Sequence, residues 1–274
     1  MRLQHIFCIL NLLALLLISG ETCRAQAELR IIAGTSLIAD IVHDLTGGHS
    51  TILTLVQGSS CPGHDNAKTQ DFVFAAQADM VLVHAFQQDL PQLSGMLATV
   101  GTARESLHVV KVEGSWLVPE NQKKASRAIA AFLQSADPKH AADINARMQT
   151  RLTRVDSLAQ HCSAQLARVR GKAILAAQMQ AEFLRWAGFE VRRTYGRAED
   201  LSAKELAGLV SEMRNRGIHA VIDNYQSGPQ AGLPVALELG IPHLTLSNFP
   251  GSTASVPDYF SLLQANVALL NTLP

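Results

Sequence analysis

Cysteine and aromatic residues are both scarce in this chain of 274 residues, with four cysteines and 5% phenylalanine, tyrosine and tryptophan together. Cys8 and Cys23 fall within the first 27 residues, which leaves Cys61 and Cys162 for everything that follows. Two thiols about a hundred residues apart cannot build the framework of a disulfide-stapled scaffold. Cys162 also lies inside a long helical pattern, so no bridge to Cys61 is expected. Excess charge of either sign is missing too, since 23 Lys and Arg balance 23 Asp and Glu. Without a basic cluster, nucleic acid and anionic membrane surfaces are not expected partners. There is no phosphate-binding glycine loop and no His-Glu-x-x-His pattern, and beyond residue 27 no apolar run reaches the roughly 20 residues a membrane-spanning helix needs.

What is present begins with a leader. Arg2 and His5 precede an apolar run from Ile6 to Ile18, and Ala25-Gln26-Ala27 offers a small-x-small cleavage site. That pattern reads as a secretory signal peptide over residues 1–27, so the mature chain is expected to be exported. Residues 28–274 suffice for two lobes rather than one.

Apolar strand-like runs then alternate with helical patterns. The first four runs are 28–35, 51–56, 79–83 and 107–112, and the last four are 172–177, 189–194, 219–223 and 242–246. In the first set the runs are continuously apolar rather than alternating, the pattern of parallel strands buried on both faces. Between the two sets, Asp137-Pro138 supplies a helix start. Apolar residues from Ala141 to Val169 then recur every three or four positions, giving a helix of about 32 residues, roughly 48 Å long at 1.5 Å per residue. The predicted fold is α/β, with two three-layer lobes of mainly parallel sheet joined by one long backbone α-helix. The lobes are residues 28–136 and 171–274, and the linking helix is 137–170.

Ligands of such sheets sit beyond the carboxyl ends of the strands, and polar residues collect there. Ser60-Cys61-Pro62-Gly63-His64-Asp65 puts a thiol and an imidazole three positions apart on a turn, two good ligand types for a transition metal. His84 ends the third strand, and Asp223 ends a strand of the second lobe. These four, Cys61, His64, His84 and Asp223, are the candidate metal ligands, with zinc the first choice of ion because its sites want about four N, S or O donors. Trp116, Gln178, Asn224 and Asn248 lie at the same edges, as orienting partners or as contacts for a different ligand. On the linking helix, His161 and Cys162 are adjacent and so point apart, a solvent-facing imidazole beside a core thiol. Cys61, His64 and Asp65 share one loop, whereas a catalytic triad draws three side chains from separate elements, so an enzyme is not expected.

In order along the chain, Ile31 to Leu45, the Gly63-His64-Asp65 loop with Lys68 to Asp71 behind it, Ala78 to Val83, Ser202 to Leu206 and Asp258 to Leu263 resemble the metal-binding solute-binding proteins of ABC importers. That family carries zinc, manganese or iron across the periplasm. The resemblance implies a monomer that captures a metal ion as cargo between two lobes and delivers it to a membrane permease. It implies a ligand role for His64. The chain departs from the family pattern at the other ligand positions, where it has Gly114 before Trp116, Ala177-Gln178, and Ser247-Asn248. A metal chelate or a small polar organic solute is therefore the alternative cargo.

Overall fold

The computed structural model describes residues 28–60, 68–88, 90–100 and 106–274. Strand β1 (Leu29–Thr35) leads into helix α1 (Ser36–Thr46), followed by β2 (Ser50–Val56), α2 (Thr69–Ala75), β3 (Met80–His84), α3 (Pro91–Val100) and β4 (Leu107–Val110). Two helices come next, α4 (Pro119–Ala136) and α5 (Ala141–Gln165). The second half runs β5 (Ala173–Ala177), α6 (Ala181–Trp186), β6 (Glu190–Tyr195), α7 (Ala203–Met213), β7 (Ala220–Asn224), α8 (Leu233–Leu239), β8 (His243–Leu246) and α9 (Tyr259–Leu270).

The strands form two four-stranded sheets, ordered β2-β1-β3-β4 and β6-β5-β7-β8, and every pairing is parallel. This is the two-lobed α/β architecture that the alternation predicts. The central strands β3, β5 and β7 are buried at all of their residues, because helices cover both faces and leave no side of the strand in water.

Because side chains alternate across a strand, each sheet feeds two cores. Ile31, Ala33, Met80 and Leu82 of the first sheet and Ile174, Ala176, Ala220 and Ile222 of the second belong to one continuous apolar cluster that includes α1, α4, α5 and α9. Ile32, Val81 and Val83 pack outward with Leu93 and Met96 of α3. In the second lobe Leu175 and Val221 pack outward with Leu209 and Met213 of α7 and Val235 of α8. The lobes thus share an inner core and keep separate outer ones.

The linking helix is shorter than predicted. Pro138–His140 forms a 3-10 turn, α5 covers 25 residues, and a second 3-10 turn follows at Leu166–Arg168, the tighter winding often found where α-helices end. Its stripe holds: Ile144, Met148, Leu152, Val155, Leu158 and Cys162 are buried, His161 is exposed, and the Cys162 thiol is free, with burial pushing its pKa up to about 11. Periodicity does not anticipate Arg151, which is 1% exposed on the same face. Its guanidinium donates to Asp40 at 2.6 Å and Asp44 at 2.7 Å on α1 and to the Ser126 hydroxyl at 3.2 Å on α4. Phe260 of α9 lies 5.3 Å from it and 3.9 Å from Arg154. One buried cation therefore ties the linking helix to the first lobe and lies against an aromatic ring of the second.

Candidate functional site

Among the described residues, several hydrogen bonds that cross between the lobes come from segments following the carboxyl ends of strands. Ser36, after β1, donates its hydroxyl to the Pro250 carbonyl, after β8, at 2.8 Å. The Gln226 amide, after β7, donates to the Gly58 carbonyl, after β2, at 2.7 Å. Glu182, at the start of α6, accepts from the Ser115 backbone N–H and from Asn121 Nδ2 at 2.9 Å. Two glycines permit this approach. A Cβ on Gly58 would lie 2.0 Å from the Pro250 carbonyl oxygen, and one on Gly114, whose φ is +82°, would lie 2.5 Å from a Glu182 oxygen. The carboxyl ends of both sheets therefore meet, and this junction is the candidate site.

Several predicted residues reach this edge. His84 is 6% exposed; its Nε2 is 2.8 Å from the Thr35 hydroxyl, and its ring lies 4.0 Å from Trp116 and 5.2 Å from Phe86. Burial lowers its pKa to about 3, so the imidazole is neutral, as a metal ligand must be, while Thr35 engages one of its two nitrogens. Trp116 is buried and donates its indole N–H to the Val112 carbonyl at 3.1 Å, so its ring serves the wall and is not an open stacking surface. Gln178 is exposed at the end of β5. Asn224 accepts from Gln180 Nε2 at 3.1 Å and donates to Ser227 at 2.8 Å, and Asn248 accepts from the same Gln180 nitrogen at 3.0 Å. Cys61 and His64 lie outside the described residues, as does the leader.

Asp223 goes elsewhere. It shares strand parity with Val221 rather than with Ile222, which directs it to the outer face of the second sheet. There its carboxylate accepts from Tyr195 at 2.6 Å and from the Gly232 N–H at 3.1 and 3.0 Å, and lies 2.6 Å from His243 Nε2. A carboxylate has about four lone-pair sites, and these contacts use four. Asp223 has no exposed surface, so within this fold a metal would have to displace one of these partners. Among the described residues no group of three or more His, Cys, Asp or Glu could hold a metal ion.

The family model described as "ZnuA: Zinc-uptake complex component A periplasmic" matches residues 31–273. The chain belongs to this zinc-uptake family. Solved structures with the same fold include a periplasmic metal-binding protein from Candidatus Liberibacter asiaticus, with a TM-score of 0.74 at 14% identity over 89% of this chain and 98% of that one. A manganese-bound form of that protein gives 0.73 at 14% identity over 88% and 98%. A structure described as ZnuA gives 0.75 at 16% identity over 89% and 98%. No curated protein matches the chain in sequence.

For a member of the zinc-uptake family, the second lobe presents unusual chemistry at its sheet edge. Its polar groups there are mainly neutral: Gln178, Gln180, Asn224, Gln226, Ser247 and Asn248. Of the residues that shape the edge, Glu182 is not among the sequence candidates, while Gln180 and Gln226 enter only as members of the runs Gln178-Met179-Gln180 and Asp223-Asn224-Tyr225-Gln226. Gln180 stands two positions beyond Gln178 and Gln226 two beyond Asn224, so the runs containing them are visible in sequence even though their roles are not. Glu182 carries no such signal, because an acid in the first turn of a helix is ordinary. Its reach to Ser115 and Asn121 exists only once the lobes meet.

Proposed function

We propose that this chain is the periplasmic solute-binding component of an ABC importer, that it works as a monomer, and that it captures a transition-metal ion, zinc first, between its lobes for delivery to a membrane permease. The observation that supports this reading is the meeting of both sheets at their carboxyl ends, across a shared inner core, in a chain of the zinc-uptake family. His64 is the proposed principal ligand, with Cys61 beside it and His84 as the neutral imidazole of the adjoining strand. Asp223 is left out of this set, for the geometric reason above. No helix among the described residues is long and apolar enough to cross a membrane, which accords with a carrier that leaves the bilayer to its partner. The family is one of transport components rather than enzymes.

Titration of dialysed mature protein with zinc, manganese and iron is expected to reveal one tight site, weakened at least tenfold in His64→Ala. No uptake of any of the three metals would overturn the reading. The neutral amides of the second lobe favour a second version, in which the transport role is kept and the cargo is a metal chelate or a small polar organic solute.

A further inference from the structure

Gln122, near the start of α4, has no exposed surface, and neither Nε2 nor Oε1 of its amide has a hydrogen-bond partner. Interior amides are ordinarily paired, and a buried polar group left without a partner destabilises the arrangement that holds it. The buried positions that follow on α4 are Ala125, Ser126, Ile129, Ala130 and Leu133, so an apolar side chain is the ordinary choice for this face. The residues around Gln122 are all engaged. Asn121 donates to Glu182 of the second lobe at 2.9 Å, and the Leu117 carbonyl accepts from Tyr259 of α9 at 3.1 Å. Ser126 donates to the Gln122 carbonyl at 2.9 Å and accepts from Arg151 at 3.2 Å. Gln122 therefore stands at the seam between the lobes, among groups that pair across it, while its own amide pairs with none of them.

The seam also has room to shift. On the α1 side a groove of about 630 Å³ runs between Ala39, Ile52 and Thr54 of the first lobe and Pro257, Asp258 and Phe260 of the second, whereas close-packed interiors leave few voids larger than a water molecule.

We propose that Gln122 is a two-position element of the interlobe seam: this arrangement of the lobes leaves its amide unpaired, a second arrangement pairs it, and the residue thereby holds the two close in free energy. A ligand shifts such an equilibrium only by its differential affinity for the two states, so a chain poised in this way needs little from its cargo to change lobe orientation. The inference holds for a metal or an organic cargo alike.

The test uses cargo-free mature protein with nitroxide labels on cysteines introduced by Val73→Cys in the first lobe and Leu237→Cys in the second, both exposed positions. Cys61→Ser removes the competing thiol, and Cys162 is buried. Pulsed electron spin resonance then reads the distance between the lobes. Two distance populations are expected. Gln122→Met keeps the length of the side chain and removes both polar atoms, so it should reduce the second population about tenfold or more and raise the melting temperature by about 2 °C or more. Gln122→Leu provides a second variant with the same expected directions. A single distance population in the protein that retains Gln122 would overturn the proposal. So would a raised melting temperature with both populations unchanged, because the amide would then only weaken the core. A lowered melting temperature in both variants would overturn it as well, because the amide would then be held by an internal water.

Discussion

The two sheets share one strand order, with the second and first strands of each lobe followed across the sheet by the third and fourth, yet their carboxyl edges differ in kind. In the first lobe the edge is closed by interlocking side chains. His84 meets Thr35 and Trp116, and Gln87 donates to the Gly34 carbonyl at 2.8 Å. In the second lobe it is an array of amides, with one buried acceptor unpaired. The repeated topology follows from burying apolar strands on both faces. The edges escape that demand, since residues just past a strand end need only satisfy their own polar atoms, and the lobes satisfy them differently.

The contrast is sharpest in stability, where the first lobe is tied to the linking helix by the buried Arg151 cation. Arg151→Met should cost about 3–5 kcal/mol, because Asp40 would be left buried without its partner. Urea unfolding checks this, and a loss below about 1 kcal/mol would mean that the ion pairs to Asp40 and Asp44 are dispensable. The next effect depends on pH. His84 is neutral in the fold because burial holds its pKa near 3, while in the unfolded chain it takes up a proton below about 6.5. The unfolded state therefore binds more protons between those values, and stability falls as pH drops from about 6.5 towards 3, by at most about 1.4 kcal/mol per pH unit. His84→Phe should flatten this acid limb in unfolding curves taken at successive pH values, and an unchanged slope would show that His84 is not its source.

Two carboxylates of the second lobe give the smaller effects. Asp223→Ala should destabilise by about 1–3 kcal/mol, since Tyr195 and Gly232 lose their acceptor, while zinc affinity stays within threefold. A collapse of zinc affinity in a folded Asp223→Ala protein would return Asp223 to the ligand set. Glu182→Gln, at an exposed position, should change stability by no more than about 0.5 kcal/mol. It should nonetheless loosen the lobes, read as a larger radius of gyration in solution scattering, and an unchanged radius would remove Glu182 from the interlobe contacts.

Much of the fold was legible because its signals are local. Ser202 and Glu205 make the capping box their spacing announces, Gly47 and Gly240 end helices in the left-handed conformation that glycine adopts readily, and the stripe from Ile144 to Cys162 faces the core. The ends of α5 were less legible, because over three residues a 3-10 turn and an α-turn differ too little in period for the sequence pattern to separate them. Arg151 could not be foreseen from periodicity, since its burial depends on Asp40 and Asp44, more than a hundred positions earlier in the chain.

The sequence by itself determined that there are two lobes, that their strands run parallel, and that polar residues gather at the strand ends, because apolar runs and helical periods specify elements through neighbouring residues. Only the tertiary structure decided which of those polar residues face the cleft. Asp223 and Asn224 are adjacent in a strand covered on both sides, so the apolar pattern cannot say which of them points inward. Packing sends the carboxylate to Tyr195 and His243 and leaves the amide, with Gln180 and Asn248, at the edge where the lobes meet.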